Sequence, residues 1–267
     1  MPKRMIAHQP FSREVPAARV CVLMVHGILG SPHHFDMLLP YIPKDWSFRS
    51  LQLDGHGGKV RDFRRTSREK WEAQVEREVA DACASYERVV IVAHSMGCML
   101  TANAVVKLHL EHKIGGMLFL GAALYPKCDP PVVRTAVRML NFAPDDGEDA
   151  CVAAARRCCG VDVYKTPLWE LLACIPRFLD LFAISRYTRA HLAGYALPMV
   201  ALQSLHDEVV GRRAIKPFLK NPHARGEFLP ASLHFYYPAK DARRICNVFA
   251  DIVVQVDKNL QKIPLCD

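Results

Sequence analysis

The order of apolar and polar positions divides the chain into alternating strand-like and helix-like stretches. Val20-Cys21-Val22-Leu23-Met24-Val25 is an unbroken apolar run. Similar runs recur at Phe48-Arg49-Ser50-Leu51-Gln52-Leu53, Arg88-Val89-Val90-Ile91-Val92, Met117-Leu118-Phe119-Leu120, Pro198-Met199-Val200-Ala201-Leu202-Gln203-Ser204 and Gly226-Glu227-Phe228-Leu229. Short apolar runs bounded by turn residues fit strands buried on both faces. Between them the apolar spacing is helical. Trp71, Val75, Val79, Cys83 and Tyr86 share one face behind a capping box at Thr66 and Glu69. A second helix is predicted from Met96 to about Lys113, ended by Gly115-Gly116. A third runs from about Ala239 to Leu260, with Ile245, Phe249, Ile252, Val253, Val256 and Leu260 at helical spacing. Strands and helices in alternation predict an α/β fold: a mostly parallel, doubly wound sheet with right-handed crossovers.

The alternation breaks between about Tyr125 and Ala196. This stretch holds Pro126, Pro130, Pro131 and Pro144, the acidic turn Asp145-Asp146-Gly147-Glu148-Asp149, and the apolar segment from Leu168 to Leu179. It predicts a helical cap over 125–196, inserted into a core made of 1–124 and 197–267. A chain of 267 residues accommodates this as a single domain unit, and an apolar content of 51% suits a sheet covered on both faces. Ligands of open parallel sheets bind beyond the carboxyl ends of the strands. A cap inserted there would roof that region, its apolar residues either lining an acyl pocket or packing the cap onto the core.

Composition narrows the partners. The formal net charge is +8, but the basic residues are scattered and not interleaved with aromatics, which favours simple solubility over nucleic-acid binding. Arg134, Arg138, Arg156, Arg157, Arg186 and Arg189 in the middle segment are either a solvated face or an attraction for anionic substrates and a peripheral lipid contact through the cap. No stretch reaches the roughly 18 apolar residues of a membrane span. Met1 to His8 lacks the apolar core of a secretion signal. Ten cysteines without a Cys-x-x-Cys pair read as reduced thiols of a cytoplasmic protein, with adjacent Cys158-Cys159 as small apolar filler and no zinc spacing.

The chemistry concentrates in turns that follow the apolar runs. Ala93-His94-Ser95-Met96-Gly97 leaves the strand ending at Val92. A serine lifted above a sheet on a strained strand-to-helix turn needs small residues two positions before and after it, because the two backbones pass closely there. Ala93 and Gly97 meet that need; the plainer alternative is a serine that caps the following helix. After the first strand comes His26-Gly27-Ile28-Leu29-Gly30-Ser31-Pro32, whose glycines allow a main-chain N–H to face a cleft. Ile28 N–H and Met96 N–H form the natural pair of oxyanion donors. His26, so near the strand end, reads as an anchor of the turn more readily than as a base. Asp54-Gly55-His56-Gly57-Gly58 is a further glycine-rich turn, but no Gly-Lys-Ser/Thr or Gly-x-Gly-x-x-Gly accompanies it, which argues against nucleotide binding.

With these motifs the chain resembles the alpha/beta-hydrolase family, and within it the bacterial carboxylesterases and monoacylglycerol-lipase-like serine hydrolases. The resemblance covers about 20–122 and 196–260 and leaves the middle uncovered. It implies a triad in chain order serine, acid, histidine, and so assigns the catalytic roles to Ser95, Asp207 and His234. Asp207 lies in Leu205-His206-Asp207-Glu208-Val209-Val210, ahead of the apolar pair that follows the family's acid; adjacent Glu208 is its rival, and His206 reads as a solvated loop residue. His234 lies between the last strand and the last helix, where the family places its base; His223 is the rival but precedes that strand. The resemblance further implies hydrolysis of carboxylic esters, of short- to medium-chain acyl groups or monoacylglycerol-like lipids, through an acyl-enzyme and without metal or cofactor. Amidase, thioesterase or peptidase chemistry on the same triad, or a non-catalytic ligand receptor of the same fold, are the alternatives.

Overall fold

The computed structural model describes residues 8–129, 153–154, 157–162 and 166–261. Seven strands form one sheet: β1 (Phe11–Arg13), β2 (Val20–Val25), β3 (Ser47–Leu51), β4 (Arg88–His94), β5 (Ile114–Leu120), β6 (Met199–Ser204) and β7 (Ala224–Leu229). Their order is β1-β3-β2-β4-β5-β6-β7, with β1 antiparallel to β3 and all other neighbours parallel. Helices α1 (Val60–Arg64), α2 (Arg68–Ser85), α3 (Met96–Lys107), α4 (Leu168–Leu172), α5 (Ile175–His191), α6 (Lys216–Leu219) and α7 (Ala239–Gln261) connect or flank them. No helix among the described residues is long and apolar enough to cross a membrane.

The continuous apolar runs are explained by two cores. Leu23 and Val25, Val89, Ile91 and Ala93, and Met117 and Phe119 point into a core shared with α2, α3 and α5. Their neighbours Val20, Val22 and Met24, Val90 and Val92, and Leu118 and Leu120 point to the opposite face, under α7 and the 3-10 segment Pro32–Tyr41. Each fully buried Val, Leu or Ile contributes about 1.5–3 kcal/mol, so the central strands have no solvent face on which a polar residue would be tolerated.

Several local expectations are corrected. α3 ends at Lys107, not near Lys113, and β5 begins at Ile114 with Gly115 and Gly116 inside it. A β-carbon on Gly115 would come within 2.7 Å of Val256 Cγ2, and one on Gly116 within 2.6 Å of Ile252 Cγ2. These glycines therefore let α7 lie close on the sheet and do not cap a helix. The cap of α2 is Ser67, whose hydroxyl accepts from Lys70 N–H at 3.3 Å, not Thr66. β3 stops at Leu51, because Leu53 and Asp54 are drawn into a turn: Leu53 N–H donates to His26 and Asp54 N–H to Gln74.

Of the stretch expected as a cap, 130–152, 155–156 and 163–165 lie outside the described residues, and with them Pro130, Pro131, Arg134, Arg138, Pro144, Arg156 and the acidic turn 145–149. Within the described part, α5 packs on α2 and α3, burying Leu181, Ile184, Ser185 and Thr188. Asn103 of α3 donates to Thr188 Oγ1 at 3.0 Å, and Ser185 Oγ donates to Ala123 O at 2.6 Å. The helix thus lies in the same layer as α2 and α3, on the crossover from β5 to β6. By contrast Leu168, Trp169 and Leu172 of α4, and Ile175 and Leu179 at the start of α5, are exposed, Trp169 by 62%. A third piece crosses the loops after β2 and β3: Gly160 N–H donates to Leu29 O at 2.8 Å, Gly57 N–H to Gly160 O at 2.5 Å, and Asp162 N–H to Gly58 O at 2.8 Å.

Candidate active site

Ser95 occupies the turn between β4 and α3 with φ 54° and ψ −118°, a backbone state that L-residues rarely adopt and that stores about 1–3 kcal/mol of strain. The turn is held from both sides. Ser95 N–H donates to Leu120 O at 2.9 Å, and Ser95 O accepts from Cys98 and Ala123 N–H, both at 3.3 Å. Gly97 packs directly on the Val25 and His26 carbonyls, where no β-carbon fits. The small residue expected two positions before the serine, Ala93, is fully buried.

The serine hydroxyl meets two residues distant in sequence. Ser95 Oγ lies 3.1 Å from His234 Nε2, and His234 Nδ1 donates to Asp207 Oδ2 at 2.9 Å. All three side chains are buried. Since a carboxylate only accepts, the Nδ1 proton faces Asp207, which leaves the Nε2 lone pair directed at the serine hydroxyl. Asp207 is fixed by three further donors: Val209 and Val210 N–H to Oδ1 at 2.9 and 2.7 Å, and Gln203 Nε2 to Oδ2 at 2.9 Å. The Val-Val pair after the acid thus supplies two main-chain donors. Burial pushes the His234 pKa down, but the charge and hydrogen bond of Asp207, with Glu208 adding to them and Lys127 opposing, bring the net value above the ordinary 6.5.

The rivals go elsewhere. Glu208 does not touch the imidazole; its Oε2 accepts from the His234 main-chain N–H at 3.0 Å. His223 is exposed, and its carbonyl accepts from Met199 N–H where β6 begins, at the opposite end of the strand from Asp207. His206 is exposed.

The turn after β2 passes against the serine: a β-carbon on Gly27 would stand 2.5 Å from Ser95 Cβ and 3.1 Å from Ser95 Oγ. Ile28 N–H and Met96 N–H, on either side of this approach, have no hydrogen-bond acceptor among the described residues. Two neutral histidines set the turn. His26 Nε2 accepts from Leu53 N–H at 3.1 Å while Nδ1 donates to Gly27 O at 2.8 Å. His56 Nε2 accepts from Leu29 N–H at 3.0 Å while Nδ1 donates to the Leu53 and Asp54 carbonyls. Burial lowers both pKa values, that of His56 to about 4, so each ring keeps the single proton its bonds require. His26 is therefore an anchor of the turn, and the glycine-rich turn after β3 contributes a second anchor.

Sequence reasoning passed over Gly121, which has φ +56° and lies with its α-carbon so close to His234 and Asp207 that a β-carbon would meet His234 Nδ1 at 3.2 Å. Its position directly after an apolar strand was the available signal. It also passed over Gln203 and Lys127, whose Nζ donates to Asp207 O at 2.6 Å. The open clefts of about 640 Å³ beside Gln52 and Arg77 and about 560 Å³ beside Tyr125 and Arg213 do not reach Ser95, which is 3% exposed.

A mostly parallel sheet of this order, flanked by helices, is the alpha/beta-hydrolase fold. Residues 44–146, which include Ser95, match the family model described as serine hydrolase. Among solved structures the chain is similar to a metagenome-derived lipolytic enzyme, with 19% identity over 93% of this chain and 98% of that one and a TM-score of 0.68. It is also similar to a carboxylesterase of Nitrososphaera gargenis (15% identity, 94% and 96% coverage, TM-score 0.66). A soluble variant of monoglyceride lipase from Saccharomyces cerevisiae, solved with a substrate analog, matches at 13% identity over 93% and 91% of the chains, with a TM-score of 0.66. A search of curated proteins by sequence gave no match.

Proposed function

We propose that the protein is a carboxylic ester hydrolase that works through an acyl-enzyme. The observation that carries this reading is the unbroken line of hydrogen bonds from Asp207 through His234 to Ser95 Oγ. Ser95 Oγ attacks the ester carbonyl as its proton passes to His234 Nε2, and the oxyanion is held by the Ile28 and Met96 N–H groups. The protonated imidazole, stabilised by Asp207, then gives its proton to the departing alcohol. Water attacks the acyl-enzyme with His234 again as base, releasing the acid and restoring Ser95.

Short- to medium-chain acyl esters or monoacylglycerol-like lipids are the substrates this reading favours, supported by the esterase and lipase neighbours and by the apolar residues of α4 and α5. The reading is supported by Gly160, which bonds to Leu29 O in the turn after β2, and by the exposed Trp169 and its apolar neighbours, which the expected cap would offer to a lipid-like substrate or surface. The same proposal puts the protein in the cytoplasm, on the argument from cysteine usage.

A fluorophosphonate probe tests the core of the reading. We expect one adduct, on Ser95 by peptide mass mapping, and hydrolysis of p-nitrophenyl esters graded by acyl length. No adduct together with no turnover across the ester panel would overturn it.

A further inference from the structure

His234 is carried by the loop after β7, the last strand of the sheet, which has a neighbour on one side only and is largely half-exposed. A ring that must hold two bonds of about 3 Å from such a loop needs its main chain fixed by something other than the sheet. The structure provides this from the two other site-bearing loops. Glu208, next to the acid, accepts the His234 N–H at 3.0 Å. His94, next to the nucleophile, lies 3.1 Å through Nε2 from the His234 carbonyl oxygen, and since a carbonyl only accepts, His94 Nε2 carries the proton.

His94 is hard to explain as packing. It is buried, and with its proton on Nε2 the Nδ1 lone pair has no partner among the described residues. An orphaned buried acceptor costs about 1–3 kcal/mol, and an apolar residue would avoid it. Its ring lies 3.9 Å from the ring of His34 and 4.6 Å from that of His234, and Tyr237 Oη donates to the same His234 carbonyl at 3.3 Å. Burial lowers the His34 pKa to about 3 and holds His94 far below its usual range, so neither ring adds a cation beside the base.

We propose that Glu208 and His94 are positioning residues that grip the main chain of His234 at its N–H and its C=O and thereby aim Nε2 at Ser95. This rests on the ester-hydrolase reading. Glu208 beside the acid and His94 beside the nucleophile thus both hold the third member of the set, so the three loops fix one another. Glu208 also places a negative charge near the imidazole, together with Asp207 on the same loop, Lys127 after β5, and the uncharged His94, His34 and Tyr237 on the remaining sides.

The test is the pH profile of ester kcat and kcat/KM for the parent, Glu208→Gln, Glu208→Ala, His94→Phe and His94→Gln. Glu208→Gln keeps an acceptor for the His234 N–H but removes the charge. We expect a plateau kcat close to the parent's and an acid limb moved to lower pH, because the imidazole loses a group that raises its pKa. Glu208→Ala loses both features and is expected to show the same movement with kcat down about tenfold to a hundredfold and KM little changed. His94→Phe preserves the ring contacts and removes the donor; kcat should fall, and His94→Gln, whose amide donates, should recover part of it. If the buried His94→Phe fails to fold, the Glu208 pair decides.

Folded Glu208→Ala and His94→Phe with the parent's kcat, and Glu208→Gln with the parent's acid limb, would overturn the proposal. A parent that neither hydrolyses esters nor takes the phosphonate would instead sink the ester-hydrolase reading on which it rests.

Discussion

Gly97 sits so tightly against the carbonyl oxygen of Val25 that a methyl group on it would overlap the β2 backbone. The contact ties the start of α3 to the end of the neighbouring strand and fixes the height at which Ser95 stands. Gly97→Ala should cost about 1–3 kcal/mol or more through overpacking and should slow phosphonate labelling of Ser95 more than the lower stability explains. Unchanged Tm and labelling rate would show that the elbow has room the geometry denies.

The three members of the hydrogen-bonded line should act as a unit. Ser95→Ala should remove ester turnover with the Tm nearly intact, and His234→Ala should be about as damaging, with little further loss when the two are combined. Asp207→Asn should lower kcat by roughly 10³–10⁴, since an amide neither stabilises the imidazolium nor holds its tautomer. Glu208→Gln should cost far less, because Glu208 meets the histidine main chain and not its ring. Steady-state turnover of the four single variants and the double variant in one buffer decides the matter, and a crippled Glu208→Gln enzyme with a healthy Asp207→Asn would reverse the assignment.

Acid should affect activity and stability through different histidines. His234 has its pKa raised above 6.5, so kcat/KM should fall as pH drops through a midpoint above that value. His26, His34, His56 and His94 are buried with lowered pKa values, about 3 for His34 and about 4 for His56. Below pH 6.5 the unfolded chain binds protons that the folded chain refuses, so each ring removes up to about 1.4 kcal/mol per pH unit as pH falls toward its folded value. Calorimetric Tm should therefore decline between pH 6.5 and 4; a flat Tm over that interval would contradict the neutral, fully engaged rings.

Exposure separates two aromatic residues of α4 and α5. Trp169 is 62% exposed, whereas Phe178 is half-buried against Phe63. Trp169→Ala should leave Tm almost unchanged and alter the preference between short and medium acyl chains. Phe178→Ala should lower Tm through lost packing. An equal effect of Trp169→Ala on every acyl length would remove that residue from the substrate's path.

The central strands and the elbow were legible because both faces of β2, β4 and β5 are buried, which forces unbroken apolar runs into the sequence. The turn that carries Ser95 was legible because small residues flank it directly after such a run, whereas the expectation that Asp207 and His234 join it came from the family resemblance and not from the run pattern. β1 was not, since three residues with alternating exposure leave no pattern. Gly115 and Gly116 were misread because a helix stop and a close helix-to-sheet approach ask for the same residue. Glu208 and His94 were hidden for another reason: their work is done on a main chain, and nothing in the residue type at position 234 records which side chains hold its N–H and C=O.

The pairing of β6 with β7 runs from Met199↔Ala224 to Ser204↔Leu229, and the acid and the base leave the sheet a few residues beyond that last pair. A strand advances about 3.3 Å per residue. Slipping β7 by one residue would therefore carry His234 about as far as its whole bond to Ser95 is long. The ladder at the sheet's margin thus serves as a ruler for the reaction, and substitutions along β7 that loosen its register would detune the chemistry without touching a reacting group.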